Sequence, residues 1–260
     1  MAFKVGEGVA TISKLVSWAV AYCIACLHQY TIFVTCFHLG SSNSYLDRIS
    51  SSPSAPLQNY LQLDPKETAL VLIEYQNEFL SEGGKLYEPL KECLAHTNMI
   101  ENSAKLTKVA REKGAAIFHV PIMFREGAPE IYSKFGILSG IKEGGTFQEG
   151  TWNAEFHPDM TPSPEDIIVK GKSGLCGFYS TNLDFLLRQR HIKNVVIGGL
   201  LTNCCVESTM RTAYEAGYQV YTLTDCTAAI GVDAHDSMYK HNAGMFSTVT
   251  NSGEVEKAFD

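Results

Sequence analysis

The 260-residue sequence lacks blocks of basic residues, and its 21 Lys and Arg side chains are outnumbered by 28 Asp and Glu side chains. The formal charge of -7 disfavours nucleic acid as the main partner. Hydrophobic residues make up 45% of the chain, and a chain of this length suits one large α/β domain with an appendage. We therefore expect an enzyme with a small-molecule substrate or a binding module, and not a partner that is a nucleic acid.

The eight cysteines lack the spacing of a disulfide framework, and there is no pair of CxxC motifs to hold zinc. Cys23, Cys26 and Cys36 lie in an apolar N-terminal stretch. The main body holds an odd number: Cys93, Cys176, Cys204, Cys205 and Cys226. This distribution favours reduced thiols in a cytosol-like compartment.

Residues 15–37 form an almost continuous apolar run of membrane-spanning length. Lysines precede it, as in a signal anchor or signal peptide, but no small-residue cleavage site follows. His28 and Gln29 near its middle weaken the membrane interpretation, and a packed helix is the alternative. The sequence thus leaves open a cytoplasmic, a membrane-anchored and a secreted protein.

A Ser- and Pro-rich stretch, SSNSYLDRISSSPSAPLQ, follows the apolar run and has the composition of a linker. We place the domain boundary near Asn59. The prediction is an apolar segment and linker over residues 1–58 and one folded domain over residues 59–260.

Apolar runs with β-branched residues alternate with helical patterns along this domain. The strands are predicted at 68–75, 115–121, 166–170, 194–199 and 219–225, and the helices at about 88–113, at 180–190 and after the cysteine pair up to Gly217. This alternation predicts a Rossmann-like parallel sheet with helices on both faces, a three-layer α/β/α fold. Residues 123–164 are predicted to form loops and short structured pieces that cover an active site and shape its pocket.

Three candidate reactive groups lie at or just after the C-terminal ends of predicted strands, where ligands bind in parallel sheets. They are Glu74, Lys172 and the pair Cys204 and Cys205. Each has a structural alternative: a solvated strand end, an exposed loop lysine and small buried side chains, respectively.

Helical spacing separates the two cysteines. If Thr202 or Asn203 caps the following helix, Cys205 lies in its first turn, on the same face as Thr209. The positive end of the helix dipole would then favour its thiolate.

Three blocks of sequence contain these candidates, namely TALVLIEYQNEF, KSGLCGFYSTNLDFLL and GGLLTNCCVESTMRTAYEAGYQV. In this order they resemble the isochorismatase-like cysteine hydrolases, which include nicotinamidases and N-carbamoylsarcosine, biuret and ureidoacrylate hydrolases. The most specific match is TNCCVEST, where the family usually has TN-x-CVEST. The resemblance extends from about Pro65 to Phe246.

The resemblance implies that Cys205 is the nucleophile, because it directly precedes Val-Glu-Ser-Thr, and that Cys204 occupies a variable position. The family's lysine aligns with Lys172 and not with Lys170. Its usual Asp is replaced here by Glu74, as in one branch of the family, which places the carboxylate one methylene further out. A cis peptide is implied at Leu200–Leu201, with an oxyanion hole formed by the N–H groups of Leu201 and Cys205.

The implied reaction is covalent catalysis through a thioester, with Glu74 as the proton carrier and Lys172 stabilising both Glu74 and the thiolate. Gln76, Phe79, Trp152 and Tyr179 are candidates for substrate contact, with ordinary packing as their alternative. The histidines show no ligand spacing, so we expect no metal and no other cofactor. Family members suggest a homo-oligomer.

Two alternatives to C–N hydrolysis stay open at this point. One is isochorismatase activity, which cleaves a vinyl ether to give pyruvate and could divert a salicylate precursor. The other is a non-catalytic interaction protein on the same fold. The candidate cysteine favours an amide, ureide or carbamoyl substrate over both.

Overall fold

The computed structural model describes residues 61–260. The predicted apolar segment, the linker and the domain boundary near Asn59 lie outside the described residues. Over residues 61–260, no helix has both the length and the apolar character to cross a membrane.

Six parallel strands form one sheet in the order β3-β2-β1-β4-β5-β6. They are β1 (Thr68–Ile73), β2 (Ala116–Val120), β3 (Ile167–Ile168), β4 (Asn194–Leu200), β5 (Gln219–Ala228) and β6 (Thr248–Thr250). All six residues of β1 are buried, as expected for a strand covered on both faces. Because the chain order reverses direction between β1 and β4, the carboxyl ends of these two strands flank a crevice.

Within the described part of the chain, eight α-helices cover the sheet. They are α1 (Asn77–Leu80), α2 (Tyr87–Thr97), α3 (Met99–Lys113), α4 (Gly136–Gly144), α5 (Leu183–Gln189), α6 (Glu207–Glu215), α7 (Val232–His241) and α8 (Ser252–Ala258). Shorter turns include a π-helical turn at Thr202–Val206.

Alternate residues of β1 contribute to different halves of the core. Leu70 and Leu72 pack with α2, α3 and α8, whereas Val71 and Ile73 pack with α5 and α6. Since successive strand side chains point to opposite faces, this division confirms the three-layer α/β/α fold.

The predicted helix over 88–113 is wrong in one respect, because Asn98 divides it into α2 and α3. Asn98 adopts the left-handed conformation (φ 49°), which asparagine tolerates better than most residues. Its side chain also donates a hydrogen bond to Glu101. The third strand is shorter than predicted, and the prediction omitted α7, β6 and α8 near the C-terminus.

Gly199 shows how closely β1 and β4 pack. A Cβ atom at this position would lie 2.1 Å from the carbonyl oxygen of Ile73, and the backbone φ is +132°. Only glycine fits between these strand ends without displacing the strand that leads to Glu74.

We predict that Gly199→Ala lowers the free energy of unfolding of the full chain by roughly 1–3 kcal/mol beyond the effect of Gly114→Ala. Gly114 also has a positive φ (+87°) but has open space around the same position. Urea denaturation followed by circular dichroism measures both variants, and equal losses would contradict the proposed clash.

Candidate active site

Glu74 follows β1 directly and is turned back into the protein. Its backbone is left-handed (φ 59°), and its N–H donates a hydrogen bond of 3.1 Å to the carbonyl of Val120 in β2. The residue is only 2% exposed. A non-glycine residue in this conformation is uncommon and frequently marks a functional site.

Lys172 lies beyond β3 and extends to the same edge of the sheet. Its ammonium group forms an ion pair with the Glu74 carboxylate and donates a hydrogen bond of 2.6 Å to the carbonyl of Gly174. The side chain is fully buried. Burial by itself would lower the pKa of Lys172, but the adjacent Glu74 carboxylate holds that pKa above its ordinary value.

Cys205 lies in the π-helical turn that joins β4 to α6. The Leu200–Leu201 peptide at the start of this turn is cis. The carbonyl of Leu201 accepts hydrogen bonds from the N–H groups of Cys204 (3.0 Å) and Val206 (3.2 Å), so the turn closes around Cys205. The structure therefore brings the two predicted oxyanion donors, at Leu201 and Cys205, into one turn.

Thr209 connects the cysteine turn to the loop that carries Lys172. Its hydroxyl donates to the carbonyl of Cys205 (2.6 Å) and accepts from the N–H of Gly177 (2.8 Å). The spacing of four residues, which predicts a shared helix face, thus places the Thr209 hydroxyl against the carbonyl of Cys205.

The surroundings of Cys205 oppose the helix-dipole effect expected from the sequence. The adjacent Cys204 thiol, burial of the side chain and the negative charge of Glu74 together raise the pKa of Cys205 well above its ordinary value, and Lys172 opposes them only in part. The residue is 4% exposed and lies in a π-helical turn directly before α6. A raised pKa favours the thiol form, and a thiol needs a base to become a nucleophile.

Glu74 and Cys205 both line a cavity of about 270 Å³. The remaining walls are mainly hydrophobic and comprise Phe79, Leu86, Ile122, Ile137, Gly140, Ile141, Thr146, Phe147, Leu175, Leu201 and Ile230. An enclosed, mostly apolar site with a few convergent polar groups is typical of small-molecule binding.

Of the four candidates for substrate contact, the structure places only Phe79 in this wall. Gln76 is buried, but its amide is used structurally: it donates to the carbonyls of Ile122 (2.9 Å) and Ala154 (2.8 Å) and accepts from the N–H of Ile122 (2.9 Å). Trp152 is 47% exposed and Tyr179 is 80% exposed. Neither of them is brought to the cavity with Glu74 and Cys205.

The individual residues of the hydrophobic wall, Phe79 excepted, were not predicted from the sequence. Ile137 and Ile141 are one helical turn apart in α4, inside the segment that was predicted as loops and short pieces that shape the pocket. Their spacing of four residues is the one signal that could have identified them.

Over residues 61–260, no three His, Cys, Asp or Glu side chains are grouped so as to hold a metal ion. His235, one of the buried histidines, is instead hydrogen-bonded to the hydroxyl of Thr202 (2.9 Å between Nδ1 and Oγ1).

The fold and the site together define a cysteine hydrolase built on a parallel sheet. More specifically, the chain belongs to the isochorismatase family, because residues 68–254 match the isochorismatase domain. It is 30% identical over 199 residues to the ureidoacrylate amidohydrolase RutB of Rhizobium rhizogenes, covering 72% of this chain and 80% of that protein.

Solved structures agree with this assignment. A cysteine hydrolase from Pseudomonas syringae pv. phaseolicola has a TM-score of 0.66 at 25% identity, covering 79% of this chain and 98% of its own. The N-carbamoylsarcosine amidase of Thermoplasma acidophilum has a TM-score of 0.58 at 27% identity, covering 72% and 96%.

We predict that Glu74→Gln and Lys172→Met each lower the free energy of unfolding by about 3–5 kcal/mol, because each leaves its buried partner uncompensated. The double variant should lose much less than the sum. Urea denaturation of all three variants measures the coupling, with Glu88→Gln as the control, since Glu88 pairs with Lys91 at the surface and its loss should cost under about 1 kcal/mol. Additive losses would contradict a coupled buried pair.

We further predict that alkylation of Cys205 by iodoacetamide rises with pH and reaches half its maximum above the ordinary thiol pKa of about 8.5. Removing the Glu74 charge in Glu74→Gln should move this midpoint to lower pH, because that charge raises the pKa of Cys205. Mass spectrometry with fragmentation separates Cys205 from Cys204. A wild-type midpoint below pH 8 would refute the assignment of a resting thiol.

Proposed function

We propose that this protein hydrolyses a C–N bond of a small amide, ureide or carbamoyl compound through a thioester on Cys205. The observation that carries the proposal is the shared cavity of Cys205 and Glu74, with Lys172 paired to the carboxylate. The names of the related RutB and N-carbamoylsarcosine amidase proteins support this reaction class.

In the first half-reaction, Glu74 takes the proton of the Cys205 thiol as sulfur attacks the carbonyl carbon. The C–S bond forms and the carbonyl π-electron pair moves to oxygen. When the tetrahedral intermediate collapses, the C–N bond breaks and Glu74 returns its proton to the departing nitrogen. The products are a thioester and ammonia or an amine.

In the second half-reaction, Glu74 accepts a proton from water as the water oxygen attacks the thioester carbonyl. The C–S bond then breaks, and the proton held by Glu74 restores the thiol. Lys172 remains protonated throughout, so its positive charge stabilises both the carboxylate and the transient thiolate.

The N–H groups of Leu201 and Cys205 are proposed to bind the oxyanion of both tetrahedral intermediates. The hydrogen bonds that close the turn on the carbonyl of Leu201 support this role, because they fix the cysteine turn before substrate arrives.

Isochorismatase activity is the second candidate, and the family membership keeps it open. Isochorismate carries two carboxylates, whereas the described cavity wall is mainly hydrophobic and contains the Glu74 carboxylate. A dianion in such surroundings would lose hydration without gaining ion pairs, so the cavity favours an amide or ureide.

We also propose a homo-oligomer, with a small molecule and not a nucleic acid as the partner of the active site. Tyr132 and Phe135, which are largely exposed, support a subunit contact on the loop before α4. A cytoplasmic location and a membrane contact through residues 15–37 stay predictions.

The test compares wild type, Cys205→Ala and Cys204→Ala as full-length proteins. We predict that wild type and Cys204→Ala release ammonia from members of an amide and ureide panel, whereas Cys205→Ala is slower by at least about 10³-fold because the nucleophile is missing. Pyruvate release from isochorismate is followed in parallel. Ammonia release by Cys205→Ala at the wild-type rate would refute the nucleophile, and pyruvate release independent of Cys205 would favour the vinyl-ether reaction.

A further inference from the structure

Apart from the reacting groups, the wall of the cavity is almost entirely hydrophobic. Polar side chains reach it at Glu74, Cys205 and Thr146, and the other lining side chains are hydrophobic. Among the residues that the structure describes, no Arg, Lys or His side chain lines this cavity. A ligand group bound here therefore meets hydrocarbon on most sides and no uncompensated positive charge.

The basic side chains of the neighbouring segments are engaged elsewhere. The ammonium group of Lys85 donates to the carbonyls of Gly144 (2.7 Å) and Gly145 (3.0 Å), at the C-terminal end of α4. Lys142 of the same helix donates to the carbonyl of Ile131 (2.8 Å). Both lysines therefore stabilise the wall from outside instead of facing a ligand.

The other nearby cations are either paired or lie outside the cavity lining. Arg125 forms a salt bridge with Glu130 (2.7 Å), and Lys134 is exposed outside the cavity lining. Lys172 is paired with Glu74, so its charge is already balanced. A substrate carboxylate in this cavity would lose its hydration and find no free cation in return.

The size of the cavity fits a compact hydrocarbon group. Its volume is about 270 Å³, and an apolar cavity of about 150 Å³ is enough to bind benzene. Binding of such a group against the hydrophobic wall is favourable, because it removes apolar surface from water.

We propose that the substrate of this site is a primary amide or ureide whose remaining part is an uncharged hydrocarbon group, not a carboxylate-bearing one. The inference rests on the proposed C–N hydrolysis and adds the substrate class. It also separates this chain from its RutB relatives, whose name specifies ureidoacrylate, an anionic ureide.

The experiment compares two pairs of compounds of matched shape with the full-length wild-type protein. The first pair is 5-methylhexanamide and glutaramate, and the second is 3-methylbutylurea and N-carbamoyl-β-alanine. Each pair shares the reacting group and replaces a terminal isopropyl group by a carboxylate. We expect kcat/KM for ammonia release to be at least tenfold higher for the uncharged member of a pair.

A positive charge introduced into the wall should weaken this preference. Ile137 lines the cavity and is 44% exposed, so Ile137→Arg can place a guanidinium group at its mouth. We expect this variant to raise the ratio of anionic to uncharged kcat/KM at least tenfold. Ile168→Arg is the matched control, because Ile168 is equally exposed (44%) but lies on β3 outside the lining, and its ratio should equal that of wild type.

Failure of the proposed substrate class and failure of the proposed C–N hydrolysis give different results. If wild type released ammonia from the anionic members as fast as from the uncharged members, the proposed substrate class would be overturned. The proposal of C–N hydrolysis would remain intact. An unchanged ratio in Ile137→Arg would also overturn the substrate class, since the cavity would then not contact the variable group. No ammonia from either pair would overturn the proposed function and this inference with it.

Discussion

The ion pair between Glu74 and Lys172 is the interaction on which the rest of the site depends. It joins the end of β1 to the loop after β3, across the end of the intervening strand β2. Either charge alone would be costly at this depth, so the two side chains constrain each other's position. The pair also sets the electrostatics of Cys205, because Glu74 raises the pKa of the thiol and Lys172 opposes that effect.

In the proposed mechanism this arrangement makes the Glu74 carboxylate the base. The adjacent Cys204 thiol, burial and the Glu74 charge raise the pKa of Cys205, which favours the thiol over the thiolate. The proposed proton transfer to Glu74 during the attack would generate the thiolate when a carbonyl is present. The neighbouring ammonium of Lys172 then stabilises the negative charge, whether it resides on sulfur or on the carboxylate.

A second buried carboxylate, Glu78, organises the hydrophobic wall. It accepts hydrogen bonds from the N–H of Lys85 (2.6 Å), the N–H of Phe147 (3.2 Å) and the side chain of Asn153 (3.0 Å). These contacts hold the segment after α1 and the segment after α4 against each other. The walls of the cavity are thus held in place by hydrogen bonds to the Glu78 carboxylate, which suits a site that would recognise shape more than charge.

Sequence patterns predicted the central strands well, because β1 and β4 are short apolar runs buried on both faces. The rule that ligands lie at strand ends also selected Glu74, Lys172 and Cys205, which the structure places around one edge of the sheet. Local sequence could not reveal the break at Asn98, which depends on one backbone conformation, or the pKa of Cys205, which depends on residues distant in the chain. The individual wall residues between 137 and 147 could not be predicted, because α4 is short and glycine-rich.

The central claim, a thioester on Cys205, is tested most directly by partition between water and hydroxylamine. Two substrates with the same acyl group but different leaving amines are hydrolysed by the full-length protein in the presence of hydroxylamine, and the hydroxamate and acid products are measured. A common thioester predicts the same hydroxamate-to-acid ratio from both substrates, and no hydroxamate with Cys205→Ala. Ratios that depend on the leaving amine would contradict the account, because the nucleophile would then attack the substrate itself and not a shared intermediate.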